Sequence, residues 1–355
     1  MNAVHGDQRS PDGEPSDSPD AEVSVVVVTY SPGETLAPFV ASLRDATQRR
    51  IRVVLADNGS TDGVPQSVAE ASPDVRLLAT GGNLGYGRAA NLGVAATTSD
   101  WVVIANPDIV WTPGAIDELL AAADRWPRAG AIGPMIRTPL GEIYPSARQL
   151  PSLTRGIGHA LFGWFWPGNP WTIAYREERA APHERVAGWL SGACLLVRRE
   201  AFDSVSGFDP RYFMYFEDVD LGDRLASAGW LNIYAPSAEV IHEGSHSTAR
   251  HADAMSIEHH RSAYRYLSDR HRGSAWAPVR VVLRLGLFSR SRLARPLASI
   301  AQRRLISRDR SEVGNTDDGH HPGTIPEATR PTVDTTETIA KKMTTDNHDA
   351  YEGGS

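Results

Sequence analysis

The order of apolar and polar positions divides the chain into two unlike halves. From Val23 the sequence runs Val-Ser-Val-Val-Val-Val-Thr-Tyr, β-branched and almost without a polar break. Such a run marks a strand covered on both faces, as in a parallel sheet. Residues 35–47 then carry helical spacing, and residues 51–56 read as a second buried strand. The alternation continues with helix over 67–71, strand over 75–79, helix over 88–96, strand over 100–105 and helix over 113–126. The last of these has Pro113 near its first turn, where proline is tolerated. Strands and helices in strict alternation predict an α/β fold, with a mostly parallel sheet and helices on both faces.

The second half is less regular. Residues 131–137 and 186–198 read as strands, parted by a stretch over 162–170 rich in Trp, Gly and Pro. Residues 217–228 look helical, 232–234 and 240–242 look like short strands, and 251–271 return to helical spacing. Residues 278–306 form an apolar, arginine-rich helix candidate. Residues 1–20 and 311–355 are polar, show no periodicity and read as disordered. The expected organisation is therefore a disordered lead over 1–20, one domain over 21–272, a basic amphipathic extension over 273–310 and an acidic tail over 311–355.

Composition sharpens this picture. A chain of 355 residues, 41% hydrophobic and 22% charged, can bury one large or two small cores. A net charge of -7 argues against a nucleic-acid polycation. The charge is uneven, however: residues 261–310 hold thirteen Arg against Asp269 and Asp309, while residues 311–355 hold nine acids. A basic amphipathic helix of this kind suits an anionic bilayer surface. The single cysteine, Cys194, excludes a disulfide within the chain and fits a reducing compartment. Between Ala193 and Leu195 it reads as a small buried hydrophobe rather than a nucleophile. The N-terminus has no apolar signal core, and no stretch reaches the roughly 20 apolar residues of a membrane span. The expected location is the cytoplasm or, peripherally, the cytoplasmic face of the cell membrane.

The candidate chemistry sits at the predicted strand ends. Ligands of a parallel sheet bind outside the carboxyl ends of its strands. Thr29 and Tyr30 stand there on the first strand, Asp57-Asn58-Gly59-Ser60 on the second and Asn106-Pro107-Asp108 on the fourth. Singly, the last two are ordinary turn sequences; together they point to one crevice. Residues 81–91 are glycine-rich and lead into a helix, so their amides could meet a phosphate with Arg88 adding charge. The stretch has neither the Gly-Lys-Ser/Thr ending of a P-loop nor a Gly-x-Gly-x-x-Gly, which argues against a dinucleotide-binding domain. Farther on, Phe216-Glu217-Asp218 sets two adjacent acids beside aromatic residues, a costly arrangement unless the carboxylates hold a cation, bind a hydroxyl or take a proton.

Residues 25–30, Asp57 to Gly63, Asn83-Leu84-Gly85-Tyr86-Gly87, Asn106-Pro107-Asp108 and Phe216 to Leu221 occur in that order. As a set they resemble the signature of family 2 inverting glycosyltransferases of the GT-A fold, over roughly residues 22–272. Within the family the likeness is to rhamnosyltransferases. The resemblance implies a dTDP-L-rhamnose donor, a polyprenyl-diphosphate-linked N-acetylglucosamine acceptor in arabinogalactan–peptidoglycan linker synthesis, and a divalent cation, Mg2+ or Mn2+. It also implies roles. Thr29, Tyr30, Asp57 and Asn58 would line the nucleobase pocket, with Asn83, Gly85, Arg88 and Asn106 near the nucleotide sugar. Asp108 would hold the cation, joined by His242. Asn106 departs from the family's Asp-x-Asp and removes one charge. Asp218 would be the base for the acceptor hydroxyl, with Glu217 orienting the acceptor or tuning its neighbour; which of the two takes the proton stays open. Trp189 and Gly192 would shape the acceptor floor, whereas Asp220 and Asp223 read as first-turn acids or partners of Arg224. A family 2 transferase of another sugar, such as galactofuranose or glucose, is the alternative. A non-catalytic nucleotide-sugar scaffold and a nucleotidyltransferase are the rivals of other classes, and a homo-oligomer is left open.

Overall fold

The computed structural model describes residues 23–151, 182–244, 252–271, 273–281 and 284. The aromatic stretch over 162–170, most of the helix candidate over 278–306, and the tracts 1–20 and 311–355 lie outside the described residues.

The first half follows the alternation closely. β1 (Val23–Thr29), β2 (Ile51–Asp57), β3 (Val75–Ala79) and β4 (Trp101–Ala105) pair in parallel in the order β3-β2-β1-β4. All seven residues of β1 are buried, because helices cover both faces. α1 (Leu36–Ala46) and α4 (Ala115–Arg125) pack with Val25 and Val27 on one face. α3 (Tyr86–Ala95) packs with Val26 and Val28 on the other. Each buried valine contributes about 2 kcal/mol of apolar transfer, so the uninterrupted valine run is what sets β1 at the centre of the core. The short α2 (Val64–Ala71) follows β2.

β5 (Ile109–Trp111) was not anticipated; three residues are too few for a pattern. β6 (Ala129–Arg137) begins the mixed part of the sheet. The expected single strand over 186–198 is three: β9 (Arg185–Ala187), β10 (Trp189–Leu190) and β11 (Cys194–Arg198). Gly188 breaks the first pair, where a Cβ would lie 2.4 Å from the Leu150 nitrogen. A turn over 191–193 breaks the second. The two expected short strands over 232–242 are instead one, β12 (Leu231–His242), whose register on β6 shifts between Ala235 and Glu239 around Pro236. β11 enters antiparallel between β4 and β6, and β12 carries β5 antiparallel on its far edge. β7 (Ile143–Tyr144) pairs with β6, β9 pairs with β12, and β8 (Ala147–Arg148) pairs with β10 as a separate ribbon. α5 (Arg199–Ser204), α6 (Glu217–Ser227) and α7 (Ala252–Arg270) complete the described elements. The sheet is therefore α/β and mixed, parallel through β1–β4 and antiparallel where β11 and β5 join.

Candidate active site

The parallel register places Thr29 directly beside Asp57 at the strand ends. The Thr29 hydroxyl donates to Asp57 Oδ1 at 3.0 Å, and the Ser60 hydroxyl donates to the same oxygen at 2.5 Å. Asp57 is 5% exposed, so it is a buried carboxylate held in a fixed direction by hydroxyls and the Ser60 amide. Asn58 is equally buried and braces the glycine-rich loop: its Oδ1 accepts the Leu84 N–H at 2.7 Å, and its Nδ2 donates to Asn83 Oδ1 at 3.0 Å. Tyr30, half-exposed, offers its ring at the rim of this pocket.

The glycine-rich loop is less open to an anion than its sequence implies. The Leu84 amide is bound to Asn58, the Gly85 amide to Asn83, and the Tyr86 amide to the Phe213 carbonyl. Gly85 has φ +87, and a Cβ there would lie 2.3 Å from the Phe213 oxygen. That glycine is thus required for close approach of two backbones. Arg88 is exposed and its Nε donates to the Pro210 carbonyl at 2.7 Å, tying α3 to the loop before α6.

Asp108 and His242 are far apart in sequence, but the antiparallel pairing of β5 with β12 brings them together. His242 Nε2 lies 3.1 Å from Asp108 Oδ1, in a contact that does not align as a hydrogen bond. That oxygen is buried and takes no hydrogen bond among the described residues. An orphaned carboxylate oxygen beside an imidazole is a donor set that fits a divalent cation. No third His, Cys, Asp or Glu joins them among the described residues, so further ligands would come from a bound diphosphate. Asn106 stands beside this pair, and its amide donates to the Ala193 carbonyl at 2.9 Å.

The adjacent acids open α6. They follow two residues in left-handed conformation, Tyr215 (φ 65) and Phe216 (φ 66), each costing about 1 kcal/mol. Asp218 Oδ2 accepts the Gly192 N–H at 3.0 Å, and Oδ1 accepts the Val219 N–H at 2.8 Å. Burial pushes the Asp218 carboxyl up, and these two amides together with the charge of Arg148 oppose the rise. Glu217 has less support, only its own backbone amide opposing the rise. Burial, then the charge of Asp218, pushes its carboxyl up to about 8, and its Oε2 has no partner among the described residues. Two neighbouring carboxyls cannot both ionise cheaply in a buried site. Both carboxyls are raised, and of the two it is Asp218 that has the amides of Gly192 and Val219 to offset its burial.

The turn over 191–193 joins these parts. Gly192 donates to Asp218, its carbonyl accepts the Tyr86 hydroxyl at 2.5 Å, and the Ala193 carbonyl takes the Asn106 amide. Burial, then the charge of Glu217, pushes the Tyr86 hydroxyl well above its ordinary value, so it remains a donor. Tyr86 was not foreseen: its place in the glycine-rich run gave no sign of a long-range partner. Trp189 lies partly buried opposite Arg148, close under the N-terminal half of α6 at Gly222. Asp220 pairs with Arg224 at 2.7 Å as expected. Asp223 does not pair with Arg224; it accepts from Tyr266 at 3.0 Å and pairs with Arg270 on α7. Cys194 is buried and its thiol is pushed well up by burial, as an inert core residue should be.

Comparison with known proteins places the chain in a family. The profile of glycosyl transferase family 2 matches residues 24–206, and that of glycosyl transferase family group 2 matches residues 157–297. The chain is 59% identical over 280 residues to the N-acetylglucosaminyl-diphospho-decaprenol L-rhamnosyltransferase of Mycobacterium tuberculosis, covering 76% of this chain and 91% of that protein. It is 24% identical over 254 residues to rhamnosyltransferase WbbL of Escherichia coli K12, 69% of this chain and 92% of that one. Among solved structures, mannosyltransferase PcManGT from Pyrobaculum calidifontis, in complex with GDP-Man and Mn2+, aligns with a TM-score of 0.51 at 19% identity. That alignment covers 96% of this chain and 85% of that chain, a likeness of GT-A fold.

Proposed function

The chain belongs to glycosyl transferase family 2, and on that premise we propose that it moves L-rhamnose from dTDP-L-rhamnose to polyprenyl-diphospho-N-acetylglucosamine, with inversion at the anomeric carbon. One observation carries the chemistry: a single turn holds Asp218 by the Gly192 amide and Asn106 by the Ala193 carbonyl. Base and donor loop are thereby set side by side. The choice of sugar and acceptor is supported by the mycobacterial relative. The reaction would serve the linker between peptidoglycan and arabinogalactan.

In this reading Thr29, Tyr30, Asn58 and Asp57 receive the nucleobase, and Asp57 accepts its N–H. Asp108 and His242 would hold a divalent cation, Mg2+ or Mn2+, which would supply neutralising charge for the dTDP leaving group. The acceptor oxygen attacks the anomeric carbon as the bond to the diphosphate breaks and its electron pair leaves with dTDP. The acceptor proton passes to Asp218, which the Gly192 and Val219 amides hold in place. Glu217, protonated, donates a hydrogen bond to the acceptor, and Trp189 and Gly192 form the floor beneath it. The catalytic domain spans 21–272. No helix among the described residues is long and apolar enough to cross a membrane. The basic extension over 273–310 would hold the enzyme peripherally on the anionic cytoplasmic face, where its lipid acceptor lies.

Calorimetry with dTDP-rhamnose, UDP-galactofuranose and UDP-glucose, with and without Mg2+ or Mn2+, tests the donor. Metal-dependent binding of dTDP-rhamnose alone is expected; preference for a UDP-sugar overturns the named donor. Asp218→Asn should abolish transfer and leave donor binding close to normal. Loss of both together would remove Asp218 from the role of base.

A further inference from the structure

Arg148, like Arg88, stands apart from the other arginines around the site. Arg137 pairs with Glu239, Arg211 with Asp209 and Asp269, Arg224 with Asp220 and Arg270 with Asp223. Arg148 has no carboxylate partner among the described residues. Its Nε donates to the Pro145 carbonyl at 2.9 Å, which fixes the stem; its two terminal nitrogens take no hydrogen bond among those residues. The β8–β10 ribbon places it opposite Trp189. Its guanidinium carbon lies 5.8 Å from the Trp189 ring centroid and 6.0 Å from that of Tyr144. The side chain is half-buried, and its charge reaches Asp218 as a minor contribution against the rise that burial imposes on that carboxyl. A stacked, half-buried guanidinium with its terminal fork unengaged matches a phosphate better than any point charge does.

We propose that Arg148, sandwiched between Trp189 and Tyr144 beside the catalytic carboxylate, binds the diphosphate of the lipid-linked acceptor. This rests on the acceptor assigned above. The acceptor's reacting hydroxyl and its diphosphate belong to one sugar ring, so a hydroxyl at Asp218 brings the diphosphate within a ring's breadth of the base, where this cation stands. On the segment leading to Arg148, Tyr144 is 40% exposed, Ile143 46% and Leu140 85%, with the exposed Glu142 among them. A prenyl chain leaving the diphosphate would run out over that edge.

Two variants test the assignment: Arg148→Ala, and Arg148→Gln, which keeps part of the stem over Trp189. Transfer is measured to the prenyl-diphosphate acceptor and to an alkyl N-acetylglucosaminide that lacks phosphate. We expect kcat/KM for the first to fall about 30-fold or more in both variants, with less than about threefold change for the second. Equal loss on both acceptors would overturn the proposal and leave Arg148 as an electrostatic neighbour of Asp218. Binding of farnesyl diphosphate and of farnesol is measured in parallel, with dTDP and Mg2+ filling the donor site. Wild type should bind the diphosphate at least tenfold more tightly than either variant, with no difference for the alcohol. Wild type failing to distinguish the two probes refutes the site. Discrimination by the wild type without any sugar transfer would uphold the site and overturn the acceptor reading instead.

Discussion

Replacing Glu217 by Gln separates the two acids. Glu217 is 7% exposed, and its carboxyl is raised from 4.5 to about 8 by burial and by the charge of Asp218. Between those values the native chain keeps a proton that the unfolded chain has released. Stability must then fall as pH rises through that window and level off above about 8. At about 1.4 kcal/mol per pH unit the whole span corresponds to ~5 kcal/mol. Asp218 is also raised and shares the charge, so the loss belongs to the pair, and the two units from pH 6 to about 8 carry ~2–3 kcal/mol of it. Gln fills the volume of the protonated acid and cannot ionise. Urea unfolding at pH 6 and pH 9 should show wild type losing ~2–3 kcal/mol across the interval and Glu217→Gln losing less than ~1 kcal/mol. The rate profile should change in step. Wild type loses activity above pH ~8 as Glu217 ionises, and the variant keeps only the acid limb that belongs to Asp218. Parallel stability curves for the two proteins would refute the assignment of the proton to Glu217.

Two further perturbations probe the rest of the site. Asp108→Asn should weaken dTDP-rhamnose binding about tenfold or more in Mg2+ or Mn2+ while leaving binding in EDTA unchanged; an unaltered metal response would take Asp108 out of the cation site. Gly85→Ala puts a Cβ 2.3 Å from the Phe213 oxygen at φ +87 and should cost more than ~2 kcal/mol in urea unfolding. Gly192→Ala meets Asp218 Cβ only at 3.4 Å, an ordinary contact. It should therefore fold within ~1 kcal/mol of wild type yet lose acceptor turnover, so equal damage from both glycines would contradict the packing described.

What could be read before folding depended on whether a pattern was local. β1, β4 and the last five residues of β2 are uninterrupted buried runs, and their burial on both faces is written in their own residues, whereas β3 at the sheet edge is buried only at Val75. β12 looked like two strands because Pro236 and Ser237 interrupt it, whereas the sheet absorbs them as a register shift. The strand over 186–198 was over-read because Gly188 and Gly192 lie among residues of high strand propensity. At the site, Asp57 and Asp218 were visible as acids at element ends. The meeting of Asp108 with His242 was not visible in spacing, since only the β5–β12 pairing produces it. Tyr86 and Arg148 were missed for the same reason: their partners are the Gly192 carbonyl and the Trp189 ring, both supplied by other elements.

α7 alters where the working unit of this enzyme ends. The first family profile stops at residue 206, before Glu217 and Asp218. α7 begins later still, yet Ser262 donates to the Met214 carbonyl at 2.9 Å, and the His259 ring lies 5.4 Å from those of Tyr215 and Phe216. Tyr266 and Arg270 grip Asp223 on the far side of α6. The strained pair that leads into Glu217 and Asp218 is thus clamped by a helix to which no chemical role is assigned. Modularity here is deceptive: a chain cut before Ala252 would keep every residue assigned a chemical role and lose the brace that holds the proposed base in place.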